Sequence, residues 1–115
     1  MTTHLVPRDG DIDLELNGER LAFSSSAERG KPRWFELTIY RSGSGRWVVA
    51  GAGRTTMPDE VDRFWARVCT SPAEVLEALY RRGEGGRYLT HTAREALEDA
   101  AERDVALRTV LVERV

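Results

Sequence analysis

The chain of 115 residues contains a single cysteine, a single lysine and two histidines. One thiol, Cys69, excludes an intramolecular disulfide, so the fold must be held by packing and hydrogen bonds alone. No apolar run approaches the ~18 residues that mark a membrane-spanning helix. The opening MTTHLVPRDGD carries no apolar leader. Together these absences read as a protein of the reducing cytoplasm without a membrane partner. His4 and His91 fall in no HxxxH, HExxH or CxxC pattern, so no metal and no cofactor is expected. Of the 17 basic residues only Lys31 is lysine. That bias reads as GC-rich bacterial coding, and it leaves a surface of planar cations suited to carboxylates or phosphates.

What is present is ordinary globular material: 41% apolar and 31% charged residues, with a net charge of −2. The length suits one domain, 1–115, with residues 1–10 expected to be flexible. Arg33 to Thr56 holds most of the aromatic and β-branched density. Trp34, Glu36, Thr38 and Tyr40 alternate with Phe35, Leu37 and Ile39, the period of a strand with one purely apolar face and one mixed face. Ser42-Gly43-Ser44-Gly45 supplies a turn into a second strand through Trp47, Val48 and Val49. Gly51 and Gly53 within that strand mark a bend or a close backbone approach.

Upstream, Ile12-Asp13-Leu14-Glu15-Leu16 and Glu19-Arg20-Leu21-Ala22-Phe23 alternate on either side of Asn17-Gly18. This pattern predicts a type I′ hairpin in which Leu14 faces Leu21 and Ile12 faces Phe23. Residues 24–32 read as a mobile loop. Residues 58–69 admit a helix or a strand, and a strand over Phe64 to Cys69 is preferred. Ser71-Pro72-Ala73-Glu74 is a capping box with proline at the first helical position, predicting a helix to about Arg82. Gly83 to Gly86 reads as a connector. Thr92-Ala93-Arg94-Glu95 predicts a second helix to about Arg103, burying Ala93, Ala96, Leu97 and Ala100. Leu107 to Glu113 reads as a strand, with a C-terminal helix as the alternative. The expected fold is α+β: a curled antiparallel meander of about five strands, two short helices on one face and a C-terminal returning strand.

Charge is unevenly spread. Residues 31–56 carry Lys31, Arg33, Arg41, Arg46 and Arg54 against Glu36 alone, whereas residues 1–30 and 93–115 are acidic on balance. The cations alternate with Trp34, Tyr40 and Trp47. The candidate binding residues are therefore Arg33, Trp34, Tyr40, Arg41, Arg46 and Trp47, since Arg, Trp and Tyr dominate interface energetics. Candidates for chemistry are thin. Cys69 and His91 flank the first helix and could pair as nucleophile and base, although a buried structural cysteine is the simpler reading. Asp59, Glu60 and Asp62 form one acidic cluster with no second cluster to complete a metal site. Gly51-Ala52-Gly53-Arg54 is half of a phosphate-binding pattern that opens no helix.

The expectation is a small bacterial accessory protein that acts by binding an acidic protein partner, of the regulatory, immunity or antitoxin-like, or mobile-element kind. A β-hairpin module for nucleic acid is the alternative, in which the rings stack bases and the arginines pair phosphates. An unrecognised small enzyme comes third.

Overall fold

The computed structural model describes residues 2–115. Five strands form one antiparallel sheet in sequence order: β1 (Thr2–Val6), β2 (Leu14–Ser25), β3 (Arg33–Ser42), β4 (Trp47–Thr55) and β5 (Arg63–Cys69). Helix α1 (Pro72–Leu79) follows, then a small hairpin of β6 (Arg81–Gly83) and β7 (Gly86–Tyr88). Helix α2 (His91–Arg103) and a 3₁₀ helix (Val105–Val110) complete the chain. The α+β meander is thus present. No helix among the described residues is long and apolar enough to cross a membrane.

Two apolar clusters lie on the two faces of the sheet. The larger joins Leu21, Ala22, Leu37, Ile39, Trp47 and Val49 to Val75 and Leu79 of α1, to Ala93, Ala96, Leu97, Ala100 and Ala101 of α2, and to Leu107. The smaller gathers Val6, Leu16 and Val48 with Leu14, Tyr40, Ala50 and Ala66. Val6 on one edge strand and Ala66 on the other belong to one cluster, so the face away from the helices is the concave one. The loop after β1 completes the curl: the Asp9 amide donates to the Phe64 carbonyl at 2.9 Å, and the Phe64 amide donates to the Asp9 carboxylate at 2.8 Å.

A bulge in β2 makes this two-sided packing consistent. Arg20 pairs with Tyr40 but Ala22 pairs with Ile39, leaving Leu21 as the extra residue. Before the bulge the even residues Leu14 and Leu16 face the concave side. After it the parity is inverted, so Ala22 and Ser24 face the helices and Phe23 faces the concavity. Ser24 then donates to Glu95 of α2 at 2.9 Å.

Several expectations are corrected. Asn17-Gly18 is not a turn, because β2 runs straight through it between β1 and β3. Gly18 pairs with Thr2 on one side and Ser42 on the other. The Asn17 carbonyl accepts from the Gly43 amide at 2.8 Å. Gly18 has no positive φ. It is glycine because a Cβ there would lie 2.0 Å from the Arg41 carbonyl oxygen. Consequently Leu14 pairs with Val6 rather than Leu21. Residues 2–6 of the supposedly flexible start form an edge strand. Helix α1 ends at Leu79, three residues early, because Tyr80 turns extended (ψ 143°) and leads into β6. Gly83 to Gly86 is the tip of the β6–β7 hairpin, with Gly86 at φ 102°. Helix α2 is capped by Thr90, whose hydroxyl accepts from the Ala93 amide at 3.0 Å, and Thr92 is buried inside it.

The expected returning strand over 107–113 is absent. Asp104 caps a 3₁₀ helix there by accepting from the Ala106 amide, and Leu107 and Val110 meet the core at the three-residue spacing of that helix. The strand preferred over Phe64 to Cys69 is present and begins one residue earlier, at Arg63, and the Ser71 cap is as expected. Glu74, however, reaches back to Thr70, accepting from its amide at 2.7 Å and its hydroxyl at 2.8 Å.

Candidate functional site

The six candidate binding residues lie along β3 and the start of β4, and they separate into two groups at opposite ends. Tyr40, Arg41, Arg46 and Trp47 sit at the hairpin tip, while Arg33 and Trp34 begin β3. The tip turns most of its chemistry inward. Trp47 is buried (5% exposed). Its indole N–H donates to Asp104 Oδ2 at 2.9 Å, and Arg41 Nη1 donates to the same oxygen at 2.5 Å. The Arg41 guanidinium also stacks over the Trp47 ring at 4.2 Å. Tyr40 turns to the concave side against His4, ring centroids 4.8 Å apart. Arg46 alone remains outward, on a turn ordered by Ser42 through its amide, accepted by the Arg46 carbonyl, and through its hydroxyl.

At the opposite end, Arg33 forms a two-pronged pair with Glu60 at 2.7 to 3.1 Å. Arg54 bridges Glu36 at 2.9 Å and Asp62 at 3.0 Å, and the Trp34 indole donates to Glu36 at 3.2 Å. The acidic cluster therefore has a structural employment. Hydrogen bonds from Arg33 and Thr55 hold the Glu60 carboxyl below its usual range, and those from Arg54 and the Thr55 amide do the same for Asp62.

Unengaged cations lie on β5 instead. Arg63, Trp65 and Arg67 share the helix-side face of this edge strand by alternation, and Trp65 is 42% exposed. Trp65 lies flat over Gly51, where a Cβ would come within 2.2 Å of the indole, which explains the glycine in β4. Beside this row runs a groove of about 290 Å³ lined by Phe35, Arg63, Trp65, Tyr80 and Arg81. Arg81 stacks on Phe35 at 5.0 Å. Among the described residues, Arg63, Arg67 and Arg81 make no ion pair.

The backbone of β5 is also open. Phe64 bonds outward to Asp9, so by alternation Ala66 and Val68 present their amides and carbonyls to the same side, where no described group meets them. Sequence reasoning missed this surface. Its signal was Arg-x-Trp-x-Arg in a segment whose strand assignment was itself in balance.

A second concavity, of about 180 Å³, opens on the other face. Its floor is Thr38, Ala50 and Ala52, and its walls include Phe23, Tyr40 and Phe64, with Arg20, Glu36 and Arg54 at its rim.

The residues considered for catalysis are not arranged for it. Cys69 is fully buried, its Sγ facing the Arg67 carbonyl at 3.8 Å, and burial pushes the thiol up to about 11. At neutral pH it is a thiol and not the thiolate that a nucleophile requires. His91 projects from the start of α2 with its side chain 92% exposed and its Nε2 3.6 Å from Glu95. Gly51 to Arg54 lies extended within β4, so it cradles no phosphate at a helix start. No protein-family model, characterised protein or solved structure matches this chain.

Proposed function

We propose that the chain is a small binding protein whose partner is an acidic protein, engaged at the outer edge of β5 rather than at the β3–β4 tip. The observation that carries this reading is the row Arg63-Trp65-Arg67: two cations without internal partners flank a half-exposed indole on a strand with an open backbone edge. An extended acidic segment laid along that edge would gain main-chain hydrogen bonds from Ala66 and Val68. It would meet the arginines with its alternate side chains. Trp65 supplies apolar area at the centre of such an interface. A regulatory or antitoxin-like role in a bacterial cytoplasm belongs to the same proposal, supported by the arginine bias and by a sequence with a single cysteine.

The test is recovery of the bound species from the native host, followed by calorimetric titration of the purified partner. The expected partner is an acidic protein that binds Arg63→Glu/Arg67→Glu at least about tenfold more weakly than the parent, the scale of losing charge-assisted contacts. Arg46→Glu should bind as the parent does. Equal binding by the double variant would overturn the proposal. So would recovery of nucleic acid whose affinity falls log-linearly with salt through counterion release.

A further inference from the structure

The concave face carries a hollow on the side of the sheet opposite the Arg63-Trp65-Arg67 row. Along β3 its residues are Trp34, Glu36, Thr38 and Tyr40. Their partners on β4 are Arg54, Ala52, Ala50 and Val48, and on β5 Ala52 and Ala50 pair with Phe64 and Ala66. Strand positions at the centre of a sheet usually carry large β-formers. Here Thr38, Ala50, Ala52 and Ala66 keep the middle low, while Phe23, Tyr40 and Phe64 rise around it. The bulge at Leu21 is what brings Phe23 to this side, opposite Thr38. The resulting hollow of about 180 Å³ is close to the roughly 150 Å³ that admits a benzene ring in a protein interior.

The polar groups at its rim are unequal. Arg54 is occupied by Glu36 and Asp62, and the Glu36 carboxylate is in turn neutralised by Arg54 and the Trp34 N–H. Arg20, paired across the strands with Tyr40, donates to no described carboxylate. Its guanidinium carbon stands 5.9 Å from the Phe23 ring centroid. One cation is therefore available at the mouth of a ring-sized apolar hollow, and the rest of the rim is already balanced. We propose that this hollow binds a small cyclic or aromatic monocarboxylate, its ring between Phe23 and Phe64 over Thr38, Ala50 and Ala52, its carboxylate on Arg20. A second carboxylate would find no free cation at the rim, because Arg54 is already shared by Glu36 and Asp62, which restricts the class to monoanions. An acyclic chain would leave the flat hollow partly empty.

Benzoate is the direct probe, titrated into the ¹⁵N-labelled full chain and followed by amide shifts. The expected result is saturable shifts at Phe23, Thr38, Ala50 and Ala52, with benzylamine producing none. Arg20→Gln removes only an exposed side chain and should keep the parent spectrum outside the hollow while weakening benzoate by about tenfold or more. Ala50→Leu fills the floor and should abolish the shifts. Ala52→Val serves the same purpose should Ala50→Leu fail to fold. Shifts that never saturate, benzylamine matching benzoate, or Arg20→Gln binding as tightly as the parent would each overturn the assignment.

Discussion

Asp9 and Phe64, 55 residues apart, exchange two hydrogen bonds: backbone amide to carbonyl at 2.9 Å, and backbone amide to carboxylate at 2.8 Å. These hydrogen bonds tie the loop after β1 to the far edge of the sheet. Asp9→Ala deletes the charge-assisted member of the pair, and a net loss of about 1–2 kcal/mol is expected. Amide exchange at Phe64 should accelerate well beyond that at Ile39 in the central strand. Unchanged protection at Phe64 would mean that the two edges are held by packing alone.

Gly18 gives a sharper test because the colliding atom cannot move aside. A Cβ at this position meets the Arg41 carbonyl oxygen at 2.0 Å and the Ser42 Cα at 2.8 Å, both backbone. Gly18→Ala should therefore cost about 1–3 kcal/mol by overpacking. Gly51→Ala collides at 2.2 Å with Trp65, whose half-exposed ring can swing outward. Its expected signature is a smaller loss together with a red-shifted Trp emission. Equal denaturation midpoints for Gly18→Ala and the parent would contradict the pairing of Gly18 with Ser42.

His4 offers a change in the opposite direction. Its Nε2 is buried with no hydrogen-bond partner, and its ring packs against Tyr40 at 4.8 Å. Replacing an unsatisfied polar group by an apolar one of similar shape removes a desolvation cost. His4→Phe keeps an aromatic pair with Tyr40. The variant should be as stable as the parent or more so by up to about 1 kcal/mol, read from the urea midpoint. A loss of more than that would show that Nε2 has a partner in solution.

These residues also show what the sequence could and could not disclose. The β3–β4 hairpin was legible because alternation and a glycine turn agree over a continuous stretch. Asn17-Gly18 misled because alternation on both sides of it is equally the pattern of one long strand. What decides between them is pairing with Thr2 and Ser42, which no local signal carries. The Leu21 bulge was hidden for the same reason, since two adjacent apolar residues do not announce a change of face. Arg41 looked available because its acceptor, Asp104, lies 63 residues downstream. Arg33 and Arg41 looked like one patch because they are close in sequence, yet a strand separates them by about 3.3 Å per residue. What the chain alone did not show is that Trp47 and Arg41 are both committed to Asp104, while Trp65 stays half-exposed between arginines that make no ion pair among the described residues.

The last expectation concerns Asp104, where the end of α2, the 3₁₀ helix and the β3–β4 tip meet. Burial favours the neutral acid, but hydrogen bonds from Arg41, Trp47 and the Ala106 amide outweigh it and hold the carboxyl below its ordinary value. A lowered folded-state value means that the carboxylate stabilises the fold above the unfolded value, about 3.9. That contribution is lost as pH falls through the folded value. Asp104→Ala strands the Arg41 guanidinium and the buried Trp47 N–H, so it should cost about 2–3 kcal/mol at pH 7. Arg41→Glu should be at least as harmful, because it sets a second carboxylate beside the first. Arg46→Glu, on the exposed turn, should stay within about 0.5 kcal/mol of the parent. Denaturation midpoints at pH 7 and pH 2.5 complete the test. The gap between parent and Asp104→Ala should narrow at the lower pH, because below the unfolded value protonation of the unfolded state erodes what the carboxylate contributes. A gap of equal size at both values would mean that Asp104 contributes through shape and capping, with its charge uninvolved.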